Sequence, residues 1–566
     1  MVTRAADRLD KAARLGAGIT SLGFLLLAAA SWGTWPDVTV DFGQQLYIPW
    51  RIAEGEVLYR DLPYLHGPLS QYLNALLFRL FGASLTTLVL ANLTAAVATC
   101  ALLQALLRRL AGELAATVGG LLFVALFAFA QLQPTGNYNF VTPYVHEATH
   151  GLLLGLLALF LVVRHLETGR GVFLTLAGLA LGLCFLTKAE CFAAALLALA
   201  AMLGRRVTRP VMVALVPPAG AFLLFLTALP AGDALQATLG PWRPSLYESA
   251  ALPFFRALAG TDDLPHSLAQ LAVAGAAWAA VLGAGLTAEA WVPRERARPA
   301  AVALFAVLAG ALLLLGEGAL REAARPLPIA VAVLFAVTWR RGPLHRGMAV
   351  LAFVLLLKVL FHARLDHYGF FLALPATLLV TGALVELVPR ALDRRGYAGA
   401  LFQAAALAAI AAVAAVHLNR CTAFWATKTV LVGEGRDRFR ADARGEVVNR
   451  ALAELRRRAG PGETLAALPE GALLNVLAGR RNPTGFTTLT PVETTAFGEA
   501  RIAAAFAAHP PDWIALVHKD TAEFGPEFAD HAEKLGEALT RGYEPIALVG
   551  EPPPRFGIRL LRRKRV

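Results

Sequence analysis

Cysteine and charge are both scarce in this chain. Its 566 residues include four cysteines. Cys100, Cys184 and Cys191 lie inside apolar segments, so neither a disulfide framework nor a cysteine metal cluster is expected. Charged residues make up 16% of the sequence, against about 25% in a soluble globular domain, and hydrophobic residues make up 57%. Length alone would allow several soluble domains; this composition excludes them. No phosphate-binding glycine loop, dinucleotide glycine fingerprint or nucleophile elbow occurs in a fitting context. The formal charge of +12 does not indicate nucleic acid, because no basic stripe interleaved with aromatics accompanies it.

What the chain has instead is a succession of long apolar runs. A hydrocarbon core about 30 Å thick takes about 20 apolar residues per helical span, and such runs recur from about residue 17 to about residue 417, enough for about thirteen spans. Short basic clusters separate them, among them Arg108-Arg109, Arg164 with Arg170, and Arg390 with Arg394-Arg395. Such clusters resist translocation and stay in the cytoplasm. The resulting topology has the N-terminus inside and the C-terminus outside. The first run follows Arg4, Arg8, Lys11 and Arg14 but ends without a convincing cleavage site, so it is read as a retained anchor. The expected architecture is a polytopic α-helical membrane domain over 1–417, with a first outer loop at 36–83. A small soluble α/β domain follows over 418–566, where short apolar runs such as Thr464 to Leu468 and Trp513 to Val517 alternate with helical stretches.

Chemistry-bearing residues concentrate at the outer ends of the spans. The first outer loop carries Asp37 and Asp41, then Tyr59-Arg60-Asp61, then His66-Gly67-Pro68-Leu69. An acid a few residues past the first span sits where a lipid-linked substrate presents its head, and can act as general base toward a hydroxyl. A solvated loop acid is the plainer alternative. Lys188, Glu190, Lys358, His362, Arg364, Asp366 and His367 also map to outer ends of spans. Charges at such depth are costly and tend to have a use, such as holding an anionic group; snorkelling to the interface is the alternative, and is preferred for Lys358. His146-Glu147-Ala148-Thr149-His150 matches His-Glu-x-x-His, in which two histidines one turn apart bind zinc. Leu365-Asp366-His367 does not supply the expected third ligand, and a polar pocket wall is the preferred reading. Trp242 and Tyr247 are read as interfacial anchors, with a sugar-pocket role as the alternative.

The order Asp41, Tyr47, Gly55, Tyr59-Arg60-Asp61 and His66-Gly67-Pro68-Leu69 resembles the first outer loop of GT-C superfamily membrane glycosyltransferases. The likeness is specifically to the branch of the protein mannosyltransferases and lipid A aminoarabinose transferases. The likeness extends to Leu186-Thr187-Lys188-Ala189-Glu190, to Arg364-Leu365-Asp366-His367, and to the tail from Pro469-Glu470-Gly471 to Asn482-Pro483.

The resemblance implies a GT-C-like helical bundle and an inverting glycosyltransferase. Its donor would be a polyprenyl-phosphate sugar and its acceptor a hydroxyl of lipid, glycan or protein, at the periplasmic face of a bacterial inner membrane. Asp41 would be the catalytic base. Arg60, His66, Lys188, Glu190, Arg364, Asp366 and His367 would hold the donor phosphate or shape the pocket. Phe42 stands where many relatives carry Glu, and Leu65 where some carry an acid, so Asp37 and Asp61 are the secondary acids. Membrane lipids surround the protein, and no nucleic acid partner is expected. No cofactor is assigned with certainty; a divalent metal is left open, with His146, Glu147 and His150 as its candidate ligands. A transporter or flippase is the alternative, as is a non-catalytic relative that binds lipid-linked glycan. No repeated halves or broken mid-membrane helices favour transport.

Overall fold

Inside a bilayer no water satisfies the peptide groups, so an apolar run closes its hydrogen bonds within one helix. The computed structural model describes residues 2–242, 252–519 and 532–564, and between Val2 and Thr427 its regular elements are helices. The chain is a polytopic α-helical membrane protein. Among the described residues, eight helical runs are long and apolar enough to cross a membrane. Shorter apolar helices at Glu113–Ala128, Val172–Phe185 and Leu327–Thr338 supplement them. Each of the expected segments is helical, but a count by length merges or omits several. Ala189–Leu226 joins two of them across a tight turn at Gly204–Val207, and Pro343–Leu356 has only 14 residues.

The first elements position the site. They are α1 (Val2–Ala30), α2 (Phe42–Ala53), α3 (Leu69–Phe81), α4 (Leu85–Leu110), α5 (Glu113–Phe123), α6 (His146–Thr168), α7 (Val172–Phe185) and α8 (Ala189–Leu203). The basic loops meet at one end of the bundle: Arg109 pairs with Glu167 at 2.6 Å, Arg294 pairs with Asp393, and Arg390 donates to the Ala111 carbonyl. The loops after α1, α5 and α7 gather at the other end, as a chain that threads back and forth requires.

There α2 and α3 lie between the first and second membrane helices. α2 buries Phe42, Leu46, Tyr47, Ile48 and Ile52, because it is covered by α3 on one side and by the C-terminal helix Ala472–Ala478 on another. Gly43 makes the second contact: a Cβ there would lie 2.2 Å from the Leu473 amide nitrogen. The Tyr47 hydroxyl accepts from the Asn482 amide at 2.7 Å, a second tie to the same region.

The last membrane helix runs from Ala400 to Thr427, past residue 417, and leads into a strand-containing region. β1 (Val430–Val432) and β2 (Phe439–Ala441) form a small antiparallel pair. A second sheet has the order β3-β4-β6-β5, with β3 at Leu465–Leu468, β4 at Trp513–His518, β5 at Tyr543–Gly550 and β6 at Gly557–Arg563. β3 and β4 are parallel, and the other pairs are antiparallel. Parallel strands need a long crossover, and the helices between residues 472 and 508 supply it. Leu468 pairs with Leu516, so the carboxyl ends of β3 and β4 emerge side by side.

Candidate active site

The segment after α1 is built around two buried side chains. Asp37 Oδ1 accepts the Thr39 and Val40 amides, each at 3.1 Å, and Oδ2 accepts from Arg444 at 2.8 Å. Asn137 takes the Asp37 amide at 3.2 Å and donates to the Trp35 carbonyl at 2.7 Å. This holds Asp41 at φ 61°, a left-handed conformation that costs a non-glycine residue on the order of 1–3 kcal/mol and survives where its surroundings over-determine it. Asp41 Oδ2 accepts the Asn137 amide at 2.9 Å, and the Asp41 amide faces Glu470 Oε1 at 3.4 Å.

Asp41 opens onto a cavity of about 370 Å³ that also meets His66, Tyr138, Tyr144, Lys188, Lys358, His367, Glu470, Glu493 and Lys519. His66 and Lys188 are brought there together by backbone pairing. The Gly67 and Leu69 amides donate to the Thr187 and Leu186 carbonyls at 3.0 and 3.1 Å, so His66-Gly67-Pro68-Leu69 docks directly on Leu186-Thr187-Lys188. Lys188 Nζ donates to the Tyr144 hydroxyl at 2.8 Å and lies 3.8 Å from Glu190. Lys358 pairs with Glu190 at 3.0 Å and faces the cavity rather than only the interface. The His367 ring lies 4.4 Å from that of Tyr138; behind it, Arg364 approaches His367 Nδ1 at 3.1 Å. Asp366 accepts from Gln133 at 2.7 Å.

Electrostatics divides the cavity. Burial and the nearby Glu470 push the Asp41 carboxyl well above the usual carboxylate range. Burial opposes the charge of Lys519, yet its pairing with Glu470 at 2.8 Å outweighs this and holds the ammonium above its ordinary value. Burial raises Glu493 to about 7, with Thr490 opposing and Glu470 adding to the rise. Burial and Lys188 hold His66 well below its ordinary value, and burial and Arg364 do the same to His367. Both imidazoles are therefore neutral at pH 7, and the basic side chains on this side of the cavity are Lys188 and Lys358, with Arg364 behind His367.

The other residues singled out in the sequence lie elsewhere. Arg60 and Asp61 pair with each other at 2.8 Å, and Arg60 is about half exposed, outside the cavity lining. Asp37 is committed to Arg444; burial, which alone would raise its pKa, is outweighed by Arg444 and Lys428, and it is held well below the usual range. His146, Glu147 and His150 form a buried network behind the cavity. Glu147 accepts from Tyr64 at 2.9 Å and Gln71 at 3.0 Å; His146 meets Gln45 at 2.8 Å and Asn92 at 3.0 Å; His150 meets Ser70 at 3.0 Å. Among the described residues, no group of three or more His, Cys, Asp or Glu side chains is placed to hold a metal ion. Trp242 packs against Phe185 and Phe192; Tyr247 lies outside the described residues.

Comparison with known proteins bears on the same regions. Residues 65–231 match the model of a family described as dolichyl-phosphate-mannose-protein mannosyltransferase. That stretch begins at the His66 motif and includes Lys188, while Asp41 and the C-terminal region lie outside it. ArnT from Cupriavidus metallidurans, in a crystal structure with undecaprenyl phosphate bound, superposes with a TM-score of 0.50 at 12% identity, over 96% of this chain and 97% of that one. The fold is that of ArnT. The apo structure of the same ArnT gives a TM-score of 0.45 at 13% identity, covering 96% and 98% of the two chains. No curated protein matches.

Within this fold, the cavity includes residues to which the sequence analysis gave no site role: Glu470, Glu493, Lys519 and the tyrosines at 138 and 144. Glu470 follows β3 by two residues and Lys519 follows β4 by one. The readable signal was that ligands gather at the carboxyl ends of parallel strands. That signal becomes usable only once the two apolar runs are known to pair.

Proposed function

We propose that this chain is an inverting glycosyltransferase that moves a sugar from a polyprenyl-phosphate donor to a hydroxyl acceptor. The reaction takes place at the periplasmic face of a bacterial inner membrane. The observation that carries this reading is a single cavity at the loop end opposite the basic loops, in which Asp41 faces Lys188, His66 and His367. Basic loops favour the cytoplasmic side of a membrane, which supports a cavity at the outer face. The undecaprenyl phosphate held by the structurally similar ArnT supports a polyprenyl phosphate as the lipid.

In this mechanism Asp41 takes the proton of the acceptor hydroxyl as that oxygen attacks the anomeric carbon, and the bond to the lipid phosphate breaks on the opposite face. Lys188, with Arg364 behind His367, neutralises the charge developing on the phosphate. The phosphate then leaves as a stable anion without taking up a proton. Burial of Asp41 raises its proton affinity, which suits a base that must accept a proton from an alcohol.

The test is transfer in membranes containing polyprenyl-phosphate sugars. Asp41→Asn is expected to abolish transfer while leaving the protein folded; full transfer by that variant would overturn the reading.

A further inference from the structure

The C-terminal region does more than cover the cavity. The Glu470 carboxylate bridges two groups: Oε1 lies 3.4 Å from the Asp41 amide, and Oε2 accepts from Lys519 at 2.8 Å. Both residues are mostly buried, with side-chain exposures of 12% and 14%, and both line the same cavity as Asp41. They arrive together because β3 and β4 are adjacent and parallel. We propose that Glu470 and Lys519 are a positioning pair for Asp41: Glu470 braces the Asp41 backbone, and the Lys519 ammonium neutralises Glu470 so that Asp41 can carry the charge of a base. This inference rests on Asp41 being that base.

The physical argument is one of like charges. Two carboxylates in one desolvated site cannot both ionise unless a cation offsets them. The charged and titratable groups around Asp41 come from four directions. Asp37 lies on its own loop and is neutralised by Arg444. Tyr138 and Tyr144 come from the loop before α6. Lys188, Lys358, His66 and His367 lie on the membrane side, with both lysines paired to Glu190. Glu470, Glu493 and Lys519 come from the C-terminal region. Among these groups, Lys519 is the cation bonded directly to the acid that faces the Asp41 amide.

The prediction concerns the charge state of one side chain, so it can be read without knowing the sugar. The full-length protein in nanodiscs is treated with dicyclohexylcarbodiimide across a pH series. A protonated carboxyl adds across the carbodiimide to give an acylurea, with no other reactant or leaving group, and peptide mass spectrometry locates the adduct at Asp41. Glu470→Gln keeps a side-chain oxygen for the Asp41 amide but removes the negative charge. It is expected to move the labelling midpoint to lower pH by about one unit or more. Lys519→Met is expected to move it to higher pH by a similar amount, and Lys519→Arg to restore it; if Lys519→Met does not fold, Lys519→Gln makes the same charge change. Midpoints unmoved in the folded Glu470 and Lys519 variants would overturn the inference. Retained transfer by Asp41→Asn would instead overturn the base assignment, whatever the labelling shows.

Discussion

Gly67 rests on the Leu186 carbonyl: a Cβ placed on Gly67 would come within 2.1 Å of that oxygen. The two motifs that looked separate in sequence, around His66 and around Lys188, are thus one structural joint. No side chain fits between them, and the amide hydrogen bonds at 3.0 and 3.1 Å would have to break for the backbones to part. Gly67→Ala is therefore expected to destabilise the protein by about 1–3 kcal/mol, the usual cost of overpacking. Transfer should fall further than the loss of folded protein explains, because His66 and Lys188 move apart. A thermal melt in detergent and an assay normalised to folded protein separate the two effects.

Asp37 and Arg444 clamp the C-terminal region to the loop that carries Asp41. Removing one partner of a buried pair leaves the other charge desolvated, at a cost of about 3–5 kcal/mol. Arg444→Met is expected to lower the melting temperature and to expose the 36–41 segment to proteolysis. The pH dependence follows from the direction of the shift: Asp37 is held below its ordinary value in the folded protein. Its stabilisation is thus fully present above the unfolded carboxyl value of about 3.9, and is lost as the pH falls through the lower native value. In Arg444→Met the Asp37 carboxyl titrates higher, so stability should begin to change at a higher pH than in the wild type. Identical melting profiles for the two proteins across a pH series would show that the clamp contributes nothing.

Much of this was legible in the sequence because bilayer physics leaves few choices. Twenty apolar residues between basic clusters have to be a helix, so the polytopic plan could be read directly. Length was a poorer guide, since Pro343–Leu356 and Val172–Phe185 are short helices covered by neighbours. Asp41, His66, Lys188 and His367 were readable as acids, bases and cations at outer ends of spans, and they share one cavity. Arg60 and Asp61 looked equivalent, yet adjacent opposite charges satisfy each other locally, and a single sequence does not reveal that preference. Glu470 and Lys519 lie 49 residues apart in the chain. Their meeting depends on the parallel pairing of β3 and β4, a tertiary fact that no local pattern encodes.

The His-Glu-x-x-His stretch makes a separate prediction. Its side chains hold α2, α3 and α4 against α6 through Gln45, Tyr64, Gln71 and Asn92. Tyr64→Phe removes the hydroxyl that links Gln45, Gln71 and Glu147, leaving buried polar atoms unmet at a cost of about 1–3 kcal/mol. The same loss is expected for Glu147→Gln, with transfer falling only in proportion to folded protein. A Glu147→Gln variant as stable as the wild type but catalytically dead would instead assign this glutamate to chemistry.

Lys188 offers the sharpest test of the donor side. Its ammonium reaches the cavity while bonded to the Tyr144 hydroxyl and close to Glu190, so a phosphate entering there meets a cation already oriented by the fold. A hydrogen bond to a charged partner is worth about 1.5–3 kcal/mol, which corresponds to roughly ten- to hundredfold in binding. Lys188→Met is expected to raise the KM for the polyprenyl-phosphate donor by that factor and to lower kcat as well, because the negative charge on the phosphate grows as the sugar departs. Lys188→Arg should recover part of the KM effect, since it restores the charge but not the compact geometry beside Tyr144. Kinetics with donor and acceptor varied independently decide the matter: if Lys188→Met changes only the acceptor KM, the lysine faces the wrong substrate and the leaving phosphate lies elsewhere.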